Sequence, residues 1–433
     1  MARLMKDSGI EWIGDIPDTW NTCRHKHVMH KEKNICDHYN GEDIISLTMN
    51  GVIIRDLDAG GKMPTTFDGY QYVEPEDLLL CLFDIDVTPR CVGLVRNYGL
   101  TSPAYSRFKV HNGFYNAYYD YLLRAIDDKK VFVHLAKNLR SSLTESDFGV
   151  LPTIAPPFKE QKSIVSFLDT ECSRIDSVVE QTRASIEEYK KLKQAVITQA
   201  VTKGIKPNRE MKDSGIEWVG EINTSFTCRK LKTFTDVISK GATPKDISKE
   251  IDEHYCIRFL KSENIVDNQL KKLPEFGITS IIHETELKRS QLREDDILFV
   301  IAGASIGKTA IMKSSFIPAN TNQATCFIRI KSDYNAFQKY IWFVLQSDLV
   351  KKYISLYAVQ SAQPNLSMEN LGEMRIPYPN DYDELITITK YLDETSLRID
   401  NLINNKLKLL CELEAYKKSL IFEYVTGKKE VIS

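Results

Sequence analysis

One ten-residue phrase occurs twice in this chain. MKDSGIEWIG fills residues 5–14 and MKDSGIEWVG fills residues 211–220; nine of ten positions agree, and the tenth is Ile13 against Val219. The copies lie 206 residues apart (211 minus 5). That is the length of a domain, far beyond the roughly 20–50 residues of a solenoid or propeller unit. A second pair of phrases follows: LDTECSRID at 168–176 returns as LDETSLRID at 392–400, and AVT at 200–202 returns as YVT at 424–426, both 224 residues on. Between these anchors the two halves diverge almost completely. The chain therefore reads as a tandem duplication, each half with a shared opening, a variable body and a similar tail.

The tails carry the most regular patterning. In the second, Ile388, Leu392, Thr395, Ile399, Leu402, Lys406, Leu409, Leu413, Tyr416 and Leu420 recur at alternating steps of four and three, the mark of a helix burying a narrow seam. Subtracting 224 gives a weaker seam in the first: Ile164, Leu168, Glu171, Ile175, Val178, Thr182, Ser185, Tyr189, Leu192 and Val196. Each helix runs thirty-odd residues, about 50 Å, too long for one small domain to cover. Its natural partner is its twin, in an antiparallel coiled coil related by a pseudo-twofold axis. The bodies show short apolar runs between turn residues. EDLLLCLF (76–83) and DDILFVIAG (295–303) read as equivalent buried strands, each introduced by an acidic turn, and NGVIIRD and YCIRFLK read as further strands. FYNAYYDYLLRAI and YNAFQKYIWFVLQSDLVKKYI read as amphipathic helices. The expected fold class is α+β: two mixed α+β domains at 1–155 and 205–378, separated by long helices at 156–204 and 379–433.

Composition limits the function classes. The chain is 42% hydrophobic and 27% charged, typical of a globular protein, and its net charge of −2 does not announce a nucleic-acid binder. No apolar run approaches twenty residues and no signal peptide is seen, so neither a membrane span nor secretion is expected. Nine scattered cysteines without a C-x-x-C pair point to a reducing cytoplasm, not to zinc or a disulfide framework.

Two motifs resemble catalytic loops and miss the required residue. AGASIGKTA (302–310) ends like a Walker A loop, but Ala302 stands where the phosphate-cradling pattern needs glycine, and no good helix follows. APPF (155–158) resembles the N/D-P-P-Y/F loop of amino-methyltransferases, whose first side chain accepts a hydrogen bond from the target amino group; Ala155 has no acceptor. The eight histidines do not pair at metal-ligand spacing. No complete catalytic site emerges. The alternative from another class is a single-chain DNA-modifying enzyme with an unrecognised active site.

SGIEWIGDIPDTW (8–20), IAPPFKEQKSI (154–164), the helix exits ITQAVTKG and FEYVTGK, and the segments GATPK (241–245), GASIGKTAI (303–311) and NTNQATCFI (320–328) together resemble the specificity subunit of a type I restriction–modification system. The resemblance covers nearly the whole length. It departs at EINTSF in place of DIPDTW, at PNDYDELITI where the family has Glu-Gln, and in the first body, which has GLTSPAYSRF and no Gly-x-Gly-Lys loop. The resemblance implies two target-recognition domains, each reading half of a bipartite, asymmetric site in double-stranded DNA, with the helices setting the spacer. It also implies two docked methyltransferase subunits, with restriction subunits joining. S-adenosylmethionine, ATP and Mg would act in those partners, leaving this chain without cofactor or catalysis. Two identical partners need one docking surface twice, which accounts for the repeated opening.

Base edges are read best by Arg, Lys, Asn and Gln, and phosphates are held by Lys, Arg, Ser and Thr. Loops on a rigid scaffold supply the reach. In the second body the candidates are Lys245, Lys261, Ser262, Asn264, Lys308, Thr309, Gln323, Gln360, Ser361 and Gln363. In the first they are Thr48, Asn50, Arg55, Lys62, Arg90, Tyr105 and Arg107. Trp12 and Trp218, at matching positions, are candidate partner-docking anchors, with a place in the domain core the equal alternative.

Overall fold

The duplicated phrase folds the same way twice. Met5–Asp7 pairs with Asp15–Pro17, and Met211–Asp213 pairs with Glu221–Asn223, in the same antiparallel register. The structure is a computed structural model describing residues 3–49, 51–58, 64–88, 90–136, 142–358 and 364–431. It divides into two compact units, Met1–Arg183 with Lys408–Ser433, and Ala184–Leu407.

Each unit is built on a four-stranded antiparallel sheet of one topology. In the first unit the order is Met29–Lys31, Ser106–Val110, Leu78–Leu80, Val92–Leu94. In the second it is Thr235–Lys240, Thr325–Ile330, Ile297–Val300, Thr309–Ile311. The runs LLL and ILFV are fully buried central strands, as their unbroken apolar character demands. One amphipathic helix closes each core: Asn116–Asp128 buries Tyr118, Tyr119 and Leu122, and Asn335–Gln346 buries Tyr340, Ile341 and Val344. A second strand pair, Asn21–Arg24 with Pro152–Ala155 and Phe226–Lys230 with Arg375–Pro379, returns the end of each body to its beginning. The long helices start just beyond.

Those helices, Phe158–Lys203 and Tyr382–Val425, contain 46 and 44 residues, longer than the patterning indicated. Each contributes to both units, whose division falls inside them. Within the first unit Lys417 grips Asp176 at 2.6 Å and Arg183 reaches Glu414 at 3.5 Å. Within the second, Lys193 grips Asp400 at 2.7 Å and the Lys406 ammonium lies 5.9 Å from the Tyr189 ring centre. Numbers rise on one helix as they fall on the other, so the helices pair antiparallel in each unit.

The observed seam differs from the expected one by a residue at every second position. Cys172, Val179 and Ile186 are buried, whereas Val178 and Leu192 are 39% and 48% exposed. On the second helix Ser396 is buried and Ile403, Leu410 and Lys417 are half-buried. Leu402, Leu409 and Tyr416 are 44%, 40% and 54% exposed. Ile164, Leu168, Ile175, Thr182, Ile388, Leu392, Ile399 and Leu420 are buried as expected. The seam of the first helix is therefore not weak: its core positions are Cys172, Val179 and Ile186, in place of Glu171, Val178 and Ser185.

Two outcomes test this packing. Val179→Asp buries an unpaired charge and is expected to destabilise by about 3 kcal/mol or more in urea unfolding, whereas Val178→Asp stays within ~0.5 kcal/mol. His25 is stacked on Phe148 with ring centres 4.5 Å apart, and burial pulls its pKa down to about 3. The unfolded chain protonates this ring near its usual value of about 6.5, so the neutral native ring supports folding above that pH. The support is lost as pH falls from about 6.5 towards 3, at up to ~1.4 kcal/mol per pH unit. Denaturation midpoints across this range should flatten in His25→Gln relative to the parent.

Candidate nucleic-acid interface

In the second unit, strand register gathers the loops at one end of the sheet. Lys240 lies opposite Cys326 and Val300 opposite Thr325, so the segments after Lys240, after Val300 and before Thr325 leave together. Ile257–Leu260 runs parallel to Ala319–Thr321 with Leu260 beside Thr321, which brings Lys261 and Ser262 to the same end. Leu366 donates its amide to Ile301 O, adding the segment around Asn365. Close approach is built in: a Cβ on Gly241 would sit 1.6 Å from the Thr321 carbonyl oxygen, so only glycine fits.

The near-Walker loop has a clear structural role here. Residues 301–308 join two antiparallel strands in place of a strand and a helix. The Gly307 amide donates to Val300 O at 2.9 Å, Ile306 to Gly303 O at 3.1 Å and Lys308 to Ser305 O at 3.2 Å. These N–H groups are spent on the turn itself and do not point at a phosphate. The turn instead presents an exposed Lys308.

At this end Lys245, Lys308 and Gln323 are exposed, and the first two have no ion pair among the described residues. Gln323 accepts a hydrogen bond from the Thr243 hydroxyl. Lys261 and Ser262 are half-buried, with the Lys261 ammonium 3.5 Å from the Phe276 ring centre. Two candidates are corrected. Asn264 is buried and staples its turn, accepting from the Lys261 amide and donating to Lys271 O and Pro274 O at 3.1 and 2.8 Å. Thr309 is buried, its hydroxyl donating to Leu298 O at 2.7 Å.

The first unit has the same sheet end with different furnishing. Ser106 lies opposite Leu80, and Leu80 opposite Val92, so the segments after Leu80, before Val92 and before Ser106 emerge side by side. Thr48, Arg90 and Tyr105 line one cavity of about 280 Å³ with Met49, Phe83 and Val87. Arg90 is oriented by its Nε, which donates to Met49 O at 3.1 Å. Met49, Phe83 and Val87 are 58%, 39% and 74% exposed, an apolar rim that a search for polar readers passed over. Burial raises the Tyr105 phenol, with the Arg55 charge acting the other way. Arg55 itself is half-buried and follows the strand end at Ile54, opposite the turn that holds Thr48.

Arg107 is the third correction. It is 1% exposed, its Nε is 2.6 Å from the Asp77 carboxylate, and its NH2 is 3.4 Å from Glu74. Asp77 also accepts the Glu74 amide at 2.7 Å, and burial still pushes its carboxyl pKa up. The second unit repeats the device: Asp296 accepts the Arg293 amide at 2.8 Å and holds Arg329 at 2.8 and 2.7 Å. These pairs fix the acidic turns before the central strands. Trp218 is also corrected as a docking anchor, because it is buried and packs edge-on against Tyr353 at 4.9 Å. Trp12 is half-buried against the first core. Asn50, Lys62, Gln360, Ser361 and Gln363 lie outside the described residues. Among the described residues no helix is long and apolar enough to cross a membrane.

Residues 226–409 match the sequence profile of the type I restriction modification DNA specificity domain. The chain is 26% identical over 291 residues to the type I restriction enzyme MjaVIII specificity subunit of Methanocaldococcus jannaschii, covering 64% of this chain and 61% of that one. It is 25% identical over 406 residues to the EcoBI specificity subunit of Escherichia coli, covering 86% and 79%. A solved chain from a study of complex assembly and conformational transition in a type I R-M system shares the fold, with a TM-score of 0.67, 14% identity, and coverage of 96% and 99%. Along most of its length the chain is similar to type I restriction enzyme specificity subunits, and its residues 226–409 match the DNA specificity domain of such systems.

The buried pair and the exposed loop separate stability from recognition. Arg107→Ala leaves Asp77 buried without its cation and is expected to cost about 3–5 kcal/mol in denaturant unfolding. Lys308→Ala should change stability by no more than ~0.5 kcal/mol.

Proposed function

We propose that this chain reads DNA for a type I restriction–modification complex, with each unit recognising one half of a bipartite, asymmetric site. The observation that carries the reading is one sheet end furnished in two ways. Lysines and a glutamine occupy it in the second unit, and an arginine beside an apolar rim occupies it in the first. Lysine and arginine serve guanine edges and phosphates, and apolar side chains suit the thymine methyl, so unlike furnishings imply unlike half-sites. The long helices hold the two readers and thereby set the unread spacer.

Two methyltransferase subunits dock on the repeated frame, and restriction subunits join them. The exposed apolar residues flanking the helix seam favour this assembly. The first unit shows Val178, Leu409 and Tyr416, and the second shows Leu192, Leu397 and Leu402. Such a row is at home under a partner helix. Adenine methylation with S-adenosylmethionine belongs to the methyltransferases, and Mg- and ATP-dependent work to the restriction subunits; this chain supplies the address. Its net charge of −2 means that tight binding draws on the cationic surface of the partners.

The test is a map of methylated adenines in the host genome with and without the gene. One bipartite motif with two unlike halves should vanish on deletion. Complementation with Lys308→Ala should relax or weaken one half of that motif, and Arg90→Ala the other. Loss of no motif, or equal damage to both halves from either variant, would count against the reading.

A further inference from the structure

Most identities in the repeated decapeptide have a structural reason within the hairpin. Asp7 and Asp213 accept the amides of Gly9 and Gly215 at 2.9 and 3.0 Å. Ser8 and Ser214 accept those of Ile10 and Ile216 at 3.1 and 3.2 Å. Lys6 and Lys212 donate to the backbone oxygens of Asp18 and Thr224 at 2.7 and 2.8 Å. Gly14 and Gly220 take φ of 72° and 70°, which favours glycine. Trp12 and Trp218 pack inward.

Glu11 and Glu217 are not explained this way. Both are exposed, and among the described residues neither carboxylate has a hydrogen bond or an ion pair. Fold stability does not hold an exposed glutamate in place, since such substitutions are nearly neutral. The one difference between the copies falls instead at a buried position, Ile13 at 2% and Val219 at 5% exposure. The core position has drifted while the surface position has stayed, in a chain whose bodies have otherwise diverged. Acidity is also kept across the hairpin: Asp15 faces Asp7 and Glu221 faces Asp213, like-charge pairs that weaken a two-stranded ladder.

We infer that Glu11 and Glu217 are matched docking contacts, each receiving a lysine or arginine from one of two copies of the same partner polypeptide. The duplicated identity carries the inference, and the retained acidity gives the partner's chemistry. It rests on the reading that two methyltransferase subunits bind this chain.

The full chain, co-expressed with the methyltransferase subunit of its own restriction system, is examined by native mass spectrometry and titration. Glu11→Lys and Glu217→Lys should each reduce two bound methyltransferases to one, and the double variant should bind at least about tenfold more weakly at both places. Asp18→Lys, an exposed reversal whose counterpart is Thr224, should leave two bound. Unchanged thermal unfolding shows that the variants fold; should the reversals disturb folding, Glu11→Gln with Glu217→Gln gives the same comparison more mildly. A double variant holding two methyltransferases at parental affinity overturns the inference and leaves the functional reading intact. A parental chain that binds no methyltransferase overturns both.

Discussion

Neither variable body completes its core by itself, and a long-helix exit from outside that body makes up the deficit. Tyr118, buried in the first unit, donates its hydroxyl to Val425 O at 2.6 Å; Tyr340, buried in the second, reaches Val201 O at 3.4 Å. Leu420, Ile421 and Val425 belong to the first core, and Ile197, Ala200 and Val201 to the second. Each of these side chains except Ala200 contributes about 1.5–3 kcal/mol on burial, comparable with a large share of the stability of a domain. The first body is therefore closed by the exit of the second helix, and the second body by the exit of the first. This is why the exits AVT and YVT resemble each other although the bodies do not: they meet equivalent tyrosines on equivalent helices.

What the sequence revealed and what it hid follow from the range of the interactions. Strands of unbroken apolar residues and the repeated frame are legible, and so is the helical character of both amphipathic stretches, although the second breaks at the extended Ser347 into Asn335–Gln346 and Asp348–Tyr357. The helix seam was legible to within one residue. The exposed Leu402, Leu409 and Tyr416 stand beside the half-buried Ile403, Leu410 and Lys417, so only Tyr416 against Lys417 tips the pattern towards the exposed face; carrying that register to the first helix passes over Cys172, Val179 and Ile186. Arg107 was misread for a different reason. Its partner Asp77 is thirty residues away, brought alongside by a strand pairing that no local pattern announces. A buried arginine and a DNA-reading arginine look alike until the partner is placed.

The two sheets show how one scaffold carries different loops. The buried carboxylate–guanidinium pairs lie on the central strands, away from the emerging loops, and they repeat with the same bonding pattern. The loop ends do not repeat. A turn with inward-facing amides presents Lys308 in the second unit, while the equivalent stretch in the first forms the cavity around Arg90. Replacing one loop set leaves the carboxylate, its amide bond and its arginine untouched. Recognition can thus diverge without disturbing the core, which is the separation of frame and body that the sequence displays.

The exposed apolar rows impose the last constraint. Leucines and a tyrosine at seven-residue spacing on a helix already paired along its seam are a liability for a chain on its own, because such surface promotes association. The partner helix proposed above would remove that liability by covering them. A seam that paired all its apolar residues would give a more stable isolated chain and leave nothing for a partner helix to bury. On the second helix the one-residue offset leaves Leu402, Leu409 and Tyr416 outside the intramolecular pairing, whereas on the first the buried face with Cys172, Val179 and Ile186 is the more apolar one, so the apolar surface left for the proposed assembly is concentrated on the second helix.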